Sequence, residues 1–419
     1  MHSAWNGAAL LLAGALVLAG GCRTDRSEAE RQTMQAGAQS LLGDYQAQHA
    51  RLWKEWTHTA WAAATTGEKA HFDAHAAADL ALKQLHSDPA RFREVAGLLA
   101  APDGLTPLER RALHVAHLQF QGNQLPADLL KKMADMAAAI SHTFSTFRGE
   151  LDGARYSNNE LLDRLARETD SARRQAIWEA LKQVGRVVGP ELVALARVRN
   201  EGARQLGFAD YWDMKIRLQE HDPARLLATF DELERLTRAP FRAMKAALDA
   251  ELAARFKIAP DAMMPWHYDN PFFQDAPPSA AVDLDEFYRA RRKEDIVAMA
   301  VRFFADIDLP IDDIVARSDL YEREGKDQHA FCEDMDREGD VRTLLNLRPT
   351  AEWMDTMLHE NGHAVYDKHL DRALPFNLRS ANHAFTTEGV AMMFGALAKN
   401  PSWLVDYAAA DPERVAELA

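Results

Sequence analysis

The sequence predicts a mainly α-helical fold with one small antiparallel sheet. Most of the chain runs in long stretches that place apolar residues at helical spacing and hold little Gly or Pro. Only one segment, 327–347, has strand character on both sides of a turn. The chain has 419 residues, 47% of them hydrophobic, which is ample for a large buried core. A formal net charge of −14 repels phosphate backbones and argues against a nucleic-acid partner.

Taken in order, the first element is a leader. Ala8 to Gly21 is apolar and small, and the polar run "CRTDRSEAE" follows abruptly from Cys22. The stretch is too short for a comfortable membrane span and reads as an export signal over residues 1–22. Small residues directly before a cysteine resemble a bacterial lipoprotein signal, in which that cysteine carries lipid. The expectation is a lipid anchor at Cys22 and a place in the cell envelope, with plain secretion as the alternative. Cys332 is the only other cysteine, so the remaining domain, 28–419, is expected to stand without a disulfide.

Helical patterns then cover 28–65, 69–99, 106–140, 158–186, 190–206, 223–256 and 284–307. In the first, Trp53, Trp56, Ala60 and Trp61 share a face suited to packing between helices. "DPAR" at 88–91 and 222–225 reads each time as a helix start, with Asp as cap and Pro in the first turn. The Pro-rich, aromatic stretch 263–279 is an ordered loop, and His267 within it is given a structural role. Strands over His329–Asp334 and Val341–Leu347 pair around Gly339. Glu333 and Asp334 are expected to face solvent, and Cys332 to be a core thiol. Thr350 then caps a helix whose first turn holds Glu352.

That helix carries "LHENGHAVYDKHL", 358–370. Positions four apart lie on one helix face, about 6 Å apart, so His359 and His363 can aim at one metal ion. Glu360 is turned about 100° away and falls beside the open position, where a carboxylate can take a proton from bound water. This is the metallopeptidase reading of H-E-x-x-H, with Zn²⁺ as cofactor and a peptide as partner. A third ligand is needed. Glu388 is favoured, on a helix capped by Thr386 or Thr387 whose other residues are apolar or small, so that a buried carboxylate there must meet a cation. Asp367, Asp371, His369 and His383 are the other candidates, and Asp367 lies a turn too far along the helix.

These residues resemble the peptidyl-dipeptidase A (angiotensin-converting enzyme-like) family of zinc peptidases. The family's H-E-M-G-H appears here as HENGH, and its L-P-x-x-L-R…A-N…F…E as "LPFNLRSANHAFTTE", ending in Glu388. One extra residue separates the second histidine from that glutamate, a spacing associated with thimet oligopeptidases. The family's His-Ala pair, thirty residues before the first zinc histidine, matches His329 and Ala330, and its D-x-R matches "DVR" at 340–342. Trp53, Trp61 and "VRNEGARQLGFADYWD" (198–213) extend the likeness.

The resemblance implies a gluzincin-type fold, with two helical lobes beside a deep cleft and the small sheet at its floor. It implies His359, His363 and Glu388 as zinc ligands, Glu360 as the catalytic base, and His329–Ala330 as a strand that binds substrate. The product it implies is a C-terminal dipeptide. Met392 stands where the family has an acid that supports a zinc histidine. The family continues well past the position of Ala419, and its oxyanion- and carboxylate-binding residues lie there. The expectation is therefore a truncated chain that binds zinc and turns over poorly. The rival readings are an internally cutting zinc oligopeptidase and a non-catalytic lipoprotein that binds peptide or zinc.

Overall fold

Ser27 opens the first helix. Its hydroxyl accepts the Glu30 N–H at 3.3 Å, and the Glu30 carboxylate accepts the Ser27 N–H at 2.8 Å, a reciprocal cap. The computed structural model describes residues 27–101, 104–268, 270, 283–381 and 383–416. The leader, Cys22 and most of the Pro-rich stretch lie outside these residues. Helix α1 (Glu28–Thr66) ends at Gly67, whose φ of 70° suits a residue without a side chain. Gly67 also meets Gly325 in backbone contact. A Cβ on Gly67 would lie 2.2 Å from the Gly325 oxygen, and one on Gly325 2.4 Å from the Thr66 oxygen.

Helices α2 (Lys69–His86), α3 (Pro89–Ala100), α4 (Pro107–Gln121) and α5 (Ala127–Thr146) follow. Ala38, Leu41, Leu42 and Tyr45 of α1 share a core with Leu85, Val95, Leu113, Ala116 and Phe120. Two helices expected from periodicity are four. Asp88 accepts the Ala90 and Arg91 N–H groups and starts α3 afresh. The chain turns again over 122–126, with Gly122 packed on Leu218 and Pro126 preceding α5. The hairpin β1 (Gly149–Leu151) and β2 (Ala154–Tyr156), absent from the sequence reading, turns at Asp152 and Gly153, both at positive φ.

Helix α6 (Asn158–Arg167) and the 35-residue α7 (Ser171–Gln205) come next. Pro190 sits inside α7, where the sequence suggested a boundary; the helix runs through it. After α8 (Tyr211–Leu218), α9 (Pro223–Phe256) leaves Leu227, Phe230, Leu236 and Phe241 more than half exposed or close to it. His267 is buried with both ring nitrogens engaged, by Ser171 and by the Met264 N–H.

The largest core gathers α10 (Lys293–Asp306), α11 (Asp312–Arg317), β3 (Phe331–Asp334), β4 (Val341–Leu344), α12 (Ala351–Lys368), α13 (Ala384–Ala396), α14 (Pro401–Asp406) and α15 (Pro412–Ala416). Strands β3 and β4 pair antiparallel, Phe331 against Leu344 and Asp334 against Val341. Lys326, with no exposed surface, donates to Asp319 Oδ1 at 2.8 Å and to the carbonyls of Asp319, Tyr321 and Leu345. It ties the loop before β3 to β4. Among the described residues no helix is long and apolar enough to cross a membrane.

The hairpin corrects one expectation. Asp334 is buried, and Glu333 is only partly exposed. Asp334 is 7% exposed, accepts the Arg337 N–H at 2.7 Å, and has Arg372 at 3.6 Å. Arg337, at φ 56°, folds its guanidinium back over Trp53, 3.9 Å from the ring centre, and over Phe376. Trp53 in turn donates to the Asp334 carbonyl at 3.1 Å, and Trp61 meets Phe331 edge-on. The turn is therefore roofed by α1.

Burial pushes the Glu333 carboxyl up to about 8, and the neighbouring Asp367 charge adds to it. Asp367, buried first and then opposed by Asp334, is pushed up to about 7. Both folded-state values exceed those of the unfolded chain, so the stability they allow is complete in acid and is lost as pH rises through them. The metal-free protein is thus expected to melt at progressively lower temperature between about pH 5 and about pH 8. Glu333→Gln should flatten that slope in thermal scans.

Candidate metal centre

Thr350 accepts the Trp353 N–H at 3.2 Å and starts α12 where the sequence places it, with Glu352 in the first turn. The imidazoles of His359 and His363 share one face, ring centres 4.9 Å apart. Helix α13 crosses α12 closely because glycines stand at the crossing. A Cβ on Gly362 would lie 2.9 Å from the Ala391 Cα, and one on Gly395 would lie 3.4 Å from the His359 Cβ. Gly362→Ala should therefore prise the helices apart, lowering stability by about 1–3 kcal/mol; chemical denaturation measures this.

The crossing brings Glu388 to the histidines. Its Oε2 lies 3.7 Å from the Nε2 of each, and the three ligand atoms all fall within 4.8 Å of one another. No other such group of His, Cys, Asp or Glu occurs among the described residues. Tetrahedral zinc ligands stand about 3.4 Å apart, so two nitrogens and an oxygen at these separations suit the ion with little movement. Burial, and then the neighbouring His359, hold the His363 imidazole below its usual range, which keeps it neutral and able to ligate.

Thr387 was not expected at the site as a partner. Its hydroxyl bonds His363 Nδ1 at 2.7 Å and so directs Nε2 toward Glu388. The cap expected from Thr386 or Thr387 is also displaced. Helix α13 begins at Ala384 with His383 at its N-cap, so both threonines lie inside the helix and Glu388 in its second turn. Nor is Glu388 buried: its side chain is 55% exposed, and Met392 and Met393 beside it are exposed too.

Glu360 is 7% exposed. Burial pushes its carboxyl up to about 8, the Glu388 charge adds to this, and a hydrogen bond from the Cys332 N–H opposes it. A cation among the ligands would favour the carboxylate. Cys332 packs against the main core, and burial holds its thiol protonated.

The alternative ligands are engaged elsewhere. Asp367 lies by Asp334, Arg337 and Arg372, and Asp371 caps the Ala373 N–H. His369 closes α12, and His383 bonds Glu220. His329 is exposed, 5.9 Å from the Phe144 ring, and its N–H donates to Asp327. It and Ala330 precede β3 rather than lying on it, since pairing starts at Phe331.

A search of curated proteins finds no match to the chain. The profile of the family described as angiotensin-converting enzyme, peptidase M2, matches residues 32–410. That span takes in both helices of the metal group, the hairpin beneath them and α1, and the chain belongs to this family of peptidases.

Proposed function

We propose that the protein is a zinc-dependent peptidase that releases C-terminal dipeptides from short peptides in the cell envelope. The observation that carries this reading is the convergence of His359, His363 and Glu388, with the buried Glu360 beside His359 on the same helix. His359, His363 and Glu388 hold the ion. The chemistry that zinc would supply there is acidification of a water molecule, to a pKa of about 7. The Glu360 carboxylate would accept a proton from the attacking water and pass it to the leaving amine. His329 and Ala330, leading into β3, align an extended peptide through main-chain hydrogen bonds.

The experiment compares hydrolysis of one peptide as free acid and as C-terminal amide by the zinc-loaded gene product. Faster release of a dipeptide from the free acid supports the reading. Equal cleavage of both assigns internal cutting instead, and binding of zinc and peptide without cleavage assigns a binding protein. The apolar leader ending at Cys22 supports the envelope placement. Loss of fatty-acid labelling in Cys22→Ser tests it.

A further inference from the structure

Helix α13 is secured unevenly. Its buried residues are Ala391, Phe394 and Gly395, all beyond Glu388. The half that carries Glu388 and Thr387 buries none of its residues against α12. A second set of side chains grips its start. Glu220, between α8 and α9, holds a left-handed backbone at φ 64°, a conformation unfavourable for a residue with a side chain. Its carboxylate accepts Arg111 through both guanidinium nitrogens, Nη2 at 2.7 Å, and His114 Nε2 at 3.0 Å, both from α4. It also accepts His383 Nε2 at 3.0 Å, from the N-cap of α13.

The next residue, His221, stacks on Phe385 with ring centres 4.6 Å apart and lies 4.9 Å from the His383 ring. Two successive residues therefore hold the two side chains that flank Ala384, the first of α13. The Arg111 hydrogen bonds hold the Glu220 carboxyl down at about 2, so it stays ionised. A negative charge at that place also suits the positive end of the helix.

We propose that Glu220 is a positioning residue for the metal centre: through His383 it fixes the start of α13 and so presents Glu388 and Thr387 to the ion. The proposal rests on the zinc reading above. The four polar groups do not form a metal site of their own, since no set of three brings ligand atoms together as His359, His363 and Glu388 do. Their arrangement is one carboxylate joining α4, the α8–α9 corner and α13.

The test measures zinc affinity by competition with a chromophoric chelator, the visible spectrum of the cobalt-substituted protein, and the melting temperature of the metal-free protein. His383→Ala and Glu220→Gln are expected to weaken zinc binding about 10- to 100-fold, the usual scale for groups that orient ligands. Both should shift the cobalt bands. His383→Gln, which keeps an N–H donor, should recover most of the affinity. His114→Ala, which removes a bond on the α4 side alone, should leave affinity and spectrum unchanged.

Wild-type affinity and spectrum in His383→Ala would overturn the proposal. So would failure of His383→Gln to recover affinity, or equal weakening by His114→Ala in step with melting temperature. Zinc binding that is equally weak in wild type and in His363→Ala would instead sink the metal reading, and the proposal with it.

Discussion

Glu360→Gln is expected to leave zinc stoichiometry and fold intact while slowing peptide hydrolysis by about 10²- to 10⁴-fold, the range for removal of a positioned acid–base group. The substitution is nearly isosteric, and its site is buried beside the Cys332 backbone. The Cys332 N–H that the carboxylate accepts finds the amide oxygen in its place. Glu360 lies about 100° around the helix from His359 and is not one of the three converging groups, so metal binding is not expected to depend on it. What is lost is the base and, later, the acid. Single-turnover hydrolysis and zinc content, measured together on the same sample, check this. Turnover close to wild type would remove Glu360 from the reaction.

The second large effect concerns the frame beneath the site. Lys326→Met is expected to cost about 3–5 kcal/mol, the range for removing one partner of a buried ion pair. The ammonium has no exposed surface and serves Asp319 and three carbonyls from 319–345. Burial pulls its pKa down while Asp319 pulls it back up, so the charge survives only with its partners in place. Without it, the Tyr321 and Leu345 carbonyls lose this donor, the Asp319 carbonyl keeps the Leu345 N–H, and the Asp319 carboxylate keeps only Arg323, whose side chain is 47% exposed. Chemical denaturation reads the loss. Adding Asp319→Asn to Lys326→Met should recover part of it, because the stranded charge goes too. A change below about 1 kcal/mol would mean that water replaces the ammonium.

The residues that chemistry ties to a fixed spacing were legible in the sequence. Two histidines four apart can only share a helix face, and Thr350 marked where that helix begins. Glu388 stands out in the sequence as an acid among apolar and small residues. The structure keeps the residue but replaces the reason, since its side chain is half exposed and its helix starts earlier. What was not legible depends on distant partners. Glu333 and Asp334 carry every local sign of a solvated strand end. Cover from α1, where Trp53 some 280 positions away bonds the Asp334 carbonyl, is not visible locally. Glu220, at a helix corner, gives no local hint of contact with His383, 163 positions later. At helix breaks, "DPAR" at 88–91 is a start signal that helical periodicity runs straight through, and the Asp88 cap prevails.

On the proposed zinc reading, neighbours on α13, Thr387 and Glu388, would serve one ion in two ways: Thr387 bonds His363, and Glu388 would ligate. Sliding that helix by a fraction of a turn forfeits both at once, so a half-formed coordination sphere has no stable counterpart. Occupancy and docking would then be a single thermodynamic event, in which the ion adds to the Glu220–His383 hold on that half of the helix and the docked helix retains the ion. Stripping the protein with a chelator should accordingly open the chain to protease around 384–390 before anything else gives way.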